Sequence, residues 1–174
     1  FLGDGEHFLW RSEVDGFNHL YLYENDGDLV RQVTDGEWEV TDFYGVDART
    51  GDVFFSATKE SPLESHLYRI PLRPKKGAQQ PAEPVRITQE KGTHDVDVSQ
   101  DFRYYLDTYS DRNTPPVTRL HTIDGKLVRV LEANERLRET MAEYAFRPIE
   151  FTTVPAADGT PLNAFVVKPT DFDP

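Results

Sequence analysis

Cysteine is absent from the 174-residue sequence. That excludes a disulfide framework and any thiolate zinc site. Basic residues are scarce, with 19 Lys and Arg against 31 Asp and Glu and a formal net charge of −12 at pH 7. A surface so negative repels a phosphate backbone, so nucleic acid is not expected as a partner. No apolar run approaches the roughly 18 residues of a membrane helix, so no spanning segment is assigned. Methionine occurs once and tryptophan twice, whereas 11 Phe and 8 Tyr lift the aromatic share to 12%. With 37% hydrophobic content, that share argues for a packed core rather than disorder, on about the length of one domain.

Phe1-Leu2-Gly3-Asp4-Gly5 opens as a strand end running into a turn, with no initiator Met and no charged-then-apolar leader. Val166-Val167-Lys168-Pro169 closes a strand, and Thr170-Asp171-Phe172-Asp173-Pro174 stops in an open loop. The expectation is a piece of a longer protein.

Period-2 alternation and Asx-Gly turns dominate the first 130 or so residues. A first set of strands covers Phe8 to Ser12, His19 to Tyr23 and Leu29 to Thr34, with turns at Asp15-Gly16 and Asn25-Asp26-Gly27-Asp28. A second covers Glu39 to Val46, Val53 to Ala57, Ser65 to Leu72 and Val85 to Thr88. A third covers His94 to Val98, Arg103 to Thr108, Thr118 to Ile123 and Leu127 to Leu131. The sets align with one another. Leu20-Tyr21-Leu22-Tyr23, His66-Leu67-Tyr68-Arg69-Ile70 and Thr118-Arg119-Leu120-His121-Thr122 hold the same place, and each precedes a Val-Arg pair: Val30-Arg31, Val85-Arg86 and Val128-Arg129. The longer of the two intervals contains Arg73 to Pro81, which reads as a polar loop insertion. Without it the period matches a four-stranded propeller blade of about 40–45 residues. The fold expected is all-β, about three four-stranded antiparallel blades, in preference to a plain β-sandwich.

The pattern then changes. Asn134 to Tyr144 places Leu137, Met141 and Tyr144 on one helical face, with Asn134 expected as N-cap and Glu135 near the positive helix end. Ile149 to Val154 and Leu162 to Val167, turned at Asp158-Gly159, form a hairpin outside the repeat. The expected organisation is blades over residues 1–132, a linker helix over 133–147 and the start of a different domain over 148–174.

Motifs of chemistry are few. No Gly-x-Ser-x-Gly surrounds any serine, and neither a phosphate loop nor His-Glu-x-x-His occurs. Asn25-Asp26-Gly27-Asp28 resembles part of a calcium loop but lacks the distal Glu, so a solvated turn is expected. His94, Asp95 and Ser99 can be drawn as a triad, yet alternation puts His94 and Asp95 on opposite strand faces, so structural roles are expected. Asp4, Asp35, Asp101 and Asp111 read as turn residues bonding their own backbone. Trp10 and Trp38 are expected in the core or between sheets. No residue is assigned a catalytic, substrate-binding or metal-binding role, and no cofactor is expected.

Thr34-Asp35-Gly36-Glu37-Trp38-Glu39-Val40 resembles the Thr-x-Gly-x-Trp-x-Val segment that joins late propeller blades in the dipeptidyl peptidase IV family of serine peptidases. Phe1 to Tyr23 is similar to that family's blade opening, and Leu127 to Asn134 to the stretch closing its last blade. Ile149-Glu150-Phe151 through Pro161-Leu162-Asn163-Ala164-Phe165 resembles the first hairpin of its α/β-hydrolase domain. The Arg73 to Pro81 loop departs from the pattern.

The resemblance implies a parent exopeptidase that releases N-terminal dipeptides or tripeptides from peptides, preferring Pro or Ala before the cut. It implies a Ser-Asp-His triad and an oxyanion Tyr placed after Pro174, and an amine-binding Glu pair placed before Phe1. None of these roles falls on a position of this sequence. The chain is then a non-catalytic propeller fragment walling a substrate chamber, with peptide as the parent's substrate and an exported location implied. The alternative is a propeller-like protein-interaction module with no peptidase partner domain, which has no need of a helix leading into a foreign hairpin. Self-association through uncovered blade faces, carrying residues such as Phe8, Trp10, Tyr105 and Leu106, is expected of an incomplete propeller.

Overall fold

The computed structural model describes residues 1–73, 82–144, 147–169 and 171. Three antiparallel meanders follow one another. The first sheet holds β1 (His7–Ser12), β2 (His19–Glu24) and β3 (Leu29–Gln32), and the second β4 (Val40–Asp47), β5 (Asp52–Ala57), β6 (His66–Pro71) and β7 (Val85–Arg86). The third holds β8 (Thr93–Val98), β9 (Tyr104–Ser110), β10 (Val117–Thr122) and β11 (Leu127–Glu132). These are successive propeller blades, and the expected all-β class holds. The first described sheet has three strands rather than four. The aligned segments occupy equivalent strands: β2, β6 and β10 carry the three matching stretches around Leu20, Leu67 and Leu120, and β3, β7 and β11 the Val-Arg pairs.

Alternation decides which face goes where. In β5, Val53, Phe55 and Ala57 join Leu20, Leu22 and Val33 of the first sheet in one core, whereas Phe54 joins Val96 and Tyr105 of the third sheet in another. Both faces of the second sheet are therefore covered, which is why Val53–Ala57 is a continuous buried run rather than an alternating one. Residues 74–81, most of the expected insertion, lie outside the described residues.

Backbone bonds stitch each sheet to the next at the same place. Val40 N–H donates to Asn18 O at 2.8 Å, and Asn18 Nδ2 donates back to Val40 O at 2.8 Å. One sheet later, Ser65 N–H donates to Gly92 O at 3.1 Å and His94 N–H donates to Ser65 O at 3.0 Å. Gly92 has φ of +143°, and a Cβ there would lie 2.7 Å from the Ser110 carbonyl oxygen. Backbone cannot step aside as a flexible side chain can. Gly92→Ala is expected to cost about 1–3 kcal/mol, read as a lowered urea midpoint; an unchanged midpoint would mean that this junction relaxes freely.

Three expectations need correction. Trp10 is not interior: it is 60% exposed, because it lies on the face of the first sheet turned away from the second. Tyr105, expected on an uncovered face, is buried against the second sheet. Asn134 does not cap α1 (Glu135–Ala142) with its side chain: its backbone is left-handed at φ 51°, and its Nδ2 donates instead to Pro116 O at 2.6 Å. No residue of α1 is buried. β12 (Glu150–Pro155) and β13 (Pro161–Val166) form a separate two-stranded antiparallel sheet, with Glu150 opposite Val166 and Pro155 opposite Pro161. It touches the third sheet through Ile149 N–H, which donates to Asn113 Oδ1 at 2.8 Å, and through the Arg112 guanidinium 5.1 Å from the Phe165 ring centre. No helix among the described residues is long and apolar enough to cross a membrane.

Candidate functional site at the seams between sheets

The residues flagged in the sequence do not converge. His94 points into the seam while Asp95 is exposed on the other face. Ser99 Oγ lies in the β8–β9 turn, bonded to Asp101 at 2.7 Å and to Tyr104 O at 2.9 Å. No triad forms. Asp26 Oδ1 accepts the Asp28 N–H at 3.2 Å, closing the Asn25-Asp26-Gly27-Asp28 hairpin as a turn. Asp4 accepts the Glu6 and His7 N–H groups, Asp101 that of Arg103 and Asp111 that of Asn113. The Glu6 amide lowers the Asp4 carboxyl below its ordinary value, and the Ser99 hydroxyl does the same for Asp101. Asp35 is simply exposed in the bend before Trp38.

What the structure brings together is a row of buried rings across both seams. His19 meets Trp38 edge-on at 4.8 Å, Trp38 stacks on Phe55 at 6.2 Å, and Phe55 stacks on Tyr68 at 5.8 Å. Tyr68 then meets His66 at 6.4 Å, His66 meets His94 at 5.1 Å, and His94 meets Tyr109 at 5.1 Å. Only Trp38 and His94 of this row were singled out from sequence.

The first two imidazoles repeat one arrangement. His19 Nδ1 lies 3.1 Å from Thr34 Oγ1, which also accepts the Leu20 N–H at 3.0 Å. His66 Nδ1 lies 3.1 Å from Thr88 Oγ1, which also accepts the Leu67 N–H at 3.1 Å. His94 differs: its Nδ1 faces Asp107 at 2.9 and 3.0 Å, and its Nε2 faces Glu90 O at 2.9 Å. A shared His-Leu-Tyr opening in β2 and β6 was the signal that could have found the repeat.

Chemically these rings are sealed. Both nitrogens of His19, His66 and His94 are bonded inside the seams and all three side chains are buried, so none is free to act as a base on a substrate. Burial pushes the Tyr44 hydroxyl up to about 12, with Asp42, Asp95 and Asp97 adding to the shift, and it bonds Ser56 Oγ at 2.8 Å. The described residues contain no group of three or more His, Cys, Asp or Glu placed to hold a metal ion.

Comparison with known proteins gives this architecture a family. A crystal structure of Porphyromonas gingivalis dipeptidyl peptidase 4 is 40% identical, with a TM-score of 0.87 over 99% of this chain and 23% of that one. Dipeptidyl peptidase 4 of Arthroderma otae is 28% identical over 171 residues, covering 97% of this chain and 21% of its own length. That of Trichophyton rubrum is 27% identical over 170 residues, with the same two shares. The chain thus spans about a fifth of the length of the relatives it matches. Residues 1–116 match the family described as the dipeptidyl peptidase IV (DPP IV) N-terminal region, and the chain belongs to that family.

Proposed function

We propose that the chain forms part of the wall of a peptide-holding chamber in an exopeptidase of the dipeptidyl peptidase type, and that it contributes no catalytic group. Residues 1–132 are the blades in this reading, 133–147 the linker, and 148–174 the first hairpin of an α/β-hydrolase domain. The whole enzyme releases dipeptides or tripeptides from peptide N-termini. The observation that carries the reading is the ordered succession of three stacked sheets, a helix and a separate hairpin, matched along 99% of the chain by a dipeptidyl peptidase 4. The sealed imidazoles support the non-catalytic part, since acyl transfer needs a nucleophile with a reachable base.

Two measurements test it. The 174-residue chain is expected to leave Xaa-Pro and Xaa-Ala chromogenic substrates uncleaved; turnover abolished by replacing one of its six serines would overturn the non-catalytic assignment. The coding sequence downstream of Pro174 is expected to encode Gly-x-Ser-x-Gly within one further domain. Its absence there would defeat the peptidase reading.

A further inference from the structure

The seam between the second and third sheets is closed by two imidazoles in contact. His66, at the start of β6, is 0% exposed, and His94, in β8, is 3% exposed. Their ring centres are 5.1 Å apart, beside the two Ser65 backbone bonds that join the sheets.

The two rings differ in their hydrogen-bond partners. His66 Nε2 lies 2.8 Å from Glu64 Oε2, a carboxylate oxygen that can only accept, so Nε2 carries a proton. Thr88 Oγ1 already accepts the Leu67 N–H, and it donates its own proton to His66 Nδ1. His66 is thereby satisfied as a neutral ring. His19 follows the same rule, with Nε2–H donating to Gly36 O at 2.9 Å and Nδ1 accepting from Thr34. His94 differs in its partners, facing the Asp107 carboxylate from Nδ1 and the Glu90 carbonyl from Nε2.

We propose that the His66–His94 contact is a proton-operated lock between the second and third sheets, closed while His66 is neutral and released when His66 takes a second proton in mildly acidic solution. The proton comes from water and lands on Nδ1. The Thr88 hydroxyl must then turn its own proton away, and a charged imidazole stands 5.1 Å from the His94 ring.

The surrounding charges set the balance. Glu64 favours the added proton, whereas burial, His94 and Arg86 oppose it; Tyr68 meets His66 edge-on, and Asp107 sits on the far side of His94. Burial is the largest of these effects, and it holds His66 below the ordinary histidine value of 6.5. A lowered native value means that the opened state binds the proton more readily. The contribution is complete above about pH 6.5 and is lost as pH falls from there toward the native value.

Amide hydrogen exchange at Ser65 and His94 in the 174-residue chain, corrected for intrinsic rates, reads the lock directly. Protection is expected to fall below pH 6.5 with a slope approaching tenfold per pH unit, as uptake of one proton dictates. His66→Gln keeps neutral donors and acceptors but cannot titrate, so it should flatten that slope while staying folded at pH 7.5. A wild-type slope near zero, or an unchanged slope in the variant, overturns the proposal. The nitrogen chemical shifts of His66 decide independently of any variant: an unprotonated Nδ1 at pH 7.5 with a midpoint below 6.5 supports the lock, and a midpoint at or above 6.5 overturns it.

Discussion

Replacing Trp38 with alanine is expected to lower the unfolding free energy by about 3–5 kcal/mol, the range for truncating a large buried aromatic. Trp38 is 8% exposed and belongs to the core shared by the first two sheets. Its ring is held edge-on by His19, stacked on Phe55, and covered by the Lys59 ammonium 5.5 Å from its centre. The fit extends to the backbone, because a Cβ on Gly36 would lie 2.5 Å from Trp38 Nε1. Truncation removes these contacts together, and two sheets cannot collapse into the space without breaking the Asn18–Val40 bonds beside it. Urea unfolding measures the loss. Trp10→Ala is the control, expected to change stability by no more than about 0.5 kcal/mol as an exposed substitution. A midpoint for Trp38→Ala that matches the control would mean that the ring does not join the sheets.

That contrast between two tryptophans marks the limit of what the sequence discloses. Both sit in aromatic-rich strand surroundings, and nothing local separates them. Trp10 is uncovered because, among the described residues, no sheet stacks on its face of β1, a matter of what stacks where. Strand positions were legible because alternation and Asp-Gly turns are local signals, and the repeat was legible because each sheet reuses the same strand types. β3 and β7 end two residues short of the expected Thr34 and Thr88 for a physical reason: these threonines leave the ladder so that their hydroxyls can reach His19 and His66. Those partners lie 15 and 22 residues apart. Turn and loop length set that separation, so no fixed spacing announces the pair. His94 was recognised as structural by alternation, but its true partner Asp107 lies on the next strand, visible only once register is known. Asn134 failed as a cap because a carbonyl outside the helix, that of Pro116, competes for its side chain.

The 174-residue chain is expected to associate with itself head to tail, as stacked sheets and not as a two-fold dimer. The second sheet shows how a blade is satisfied, with both faces buried. Among the described residues the first sheet lacks a neighbour on one side, where register places Phe8 and Tyr23 together and Trp10 opposite Tyr21. Phe8 and Tyr23 stack at 5.4 Å, and Trp10 stands out from the face. The third sheet lacks a neighbour among the described residues on the opposite side, where Tyr104 is 43% and Leu106 37% exposed and Leu106 pairs with Leu120. These two faces differ, so the contact that continues the stack joins one face to the other in a second copy. Such a heterologous contact adds further copies until it closes into a ring. Apolar patches above a few hundred Å² usually find a partner. The charge of −12 opposes approach, but its reach shrinks to about 10 Å at 0.1 M salt, so association should strengthen as salt rises. Sedimentation equilibrium is expected to give a mass that climbs with concentration and salt past twice the 20.0 kDa chain. Trp10→Asp should reduce the climb while leaving the fold intact, because it adds a charge to one open face without touching either core. A mass that stops at two chains would point to an isologous contact, and 20.0 kDa at every salt and concentration would mean that the open faces are not adhesive.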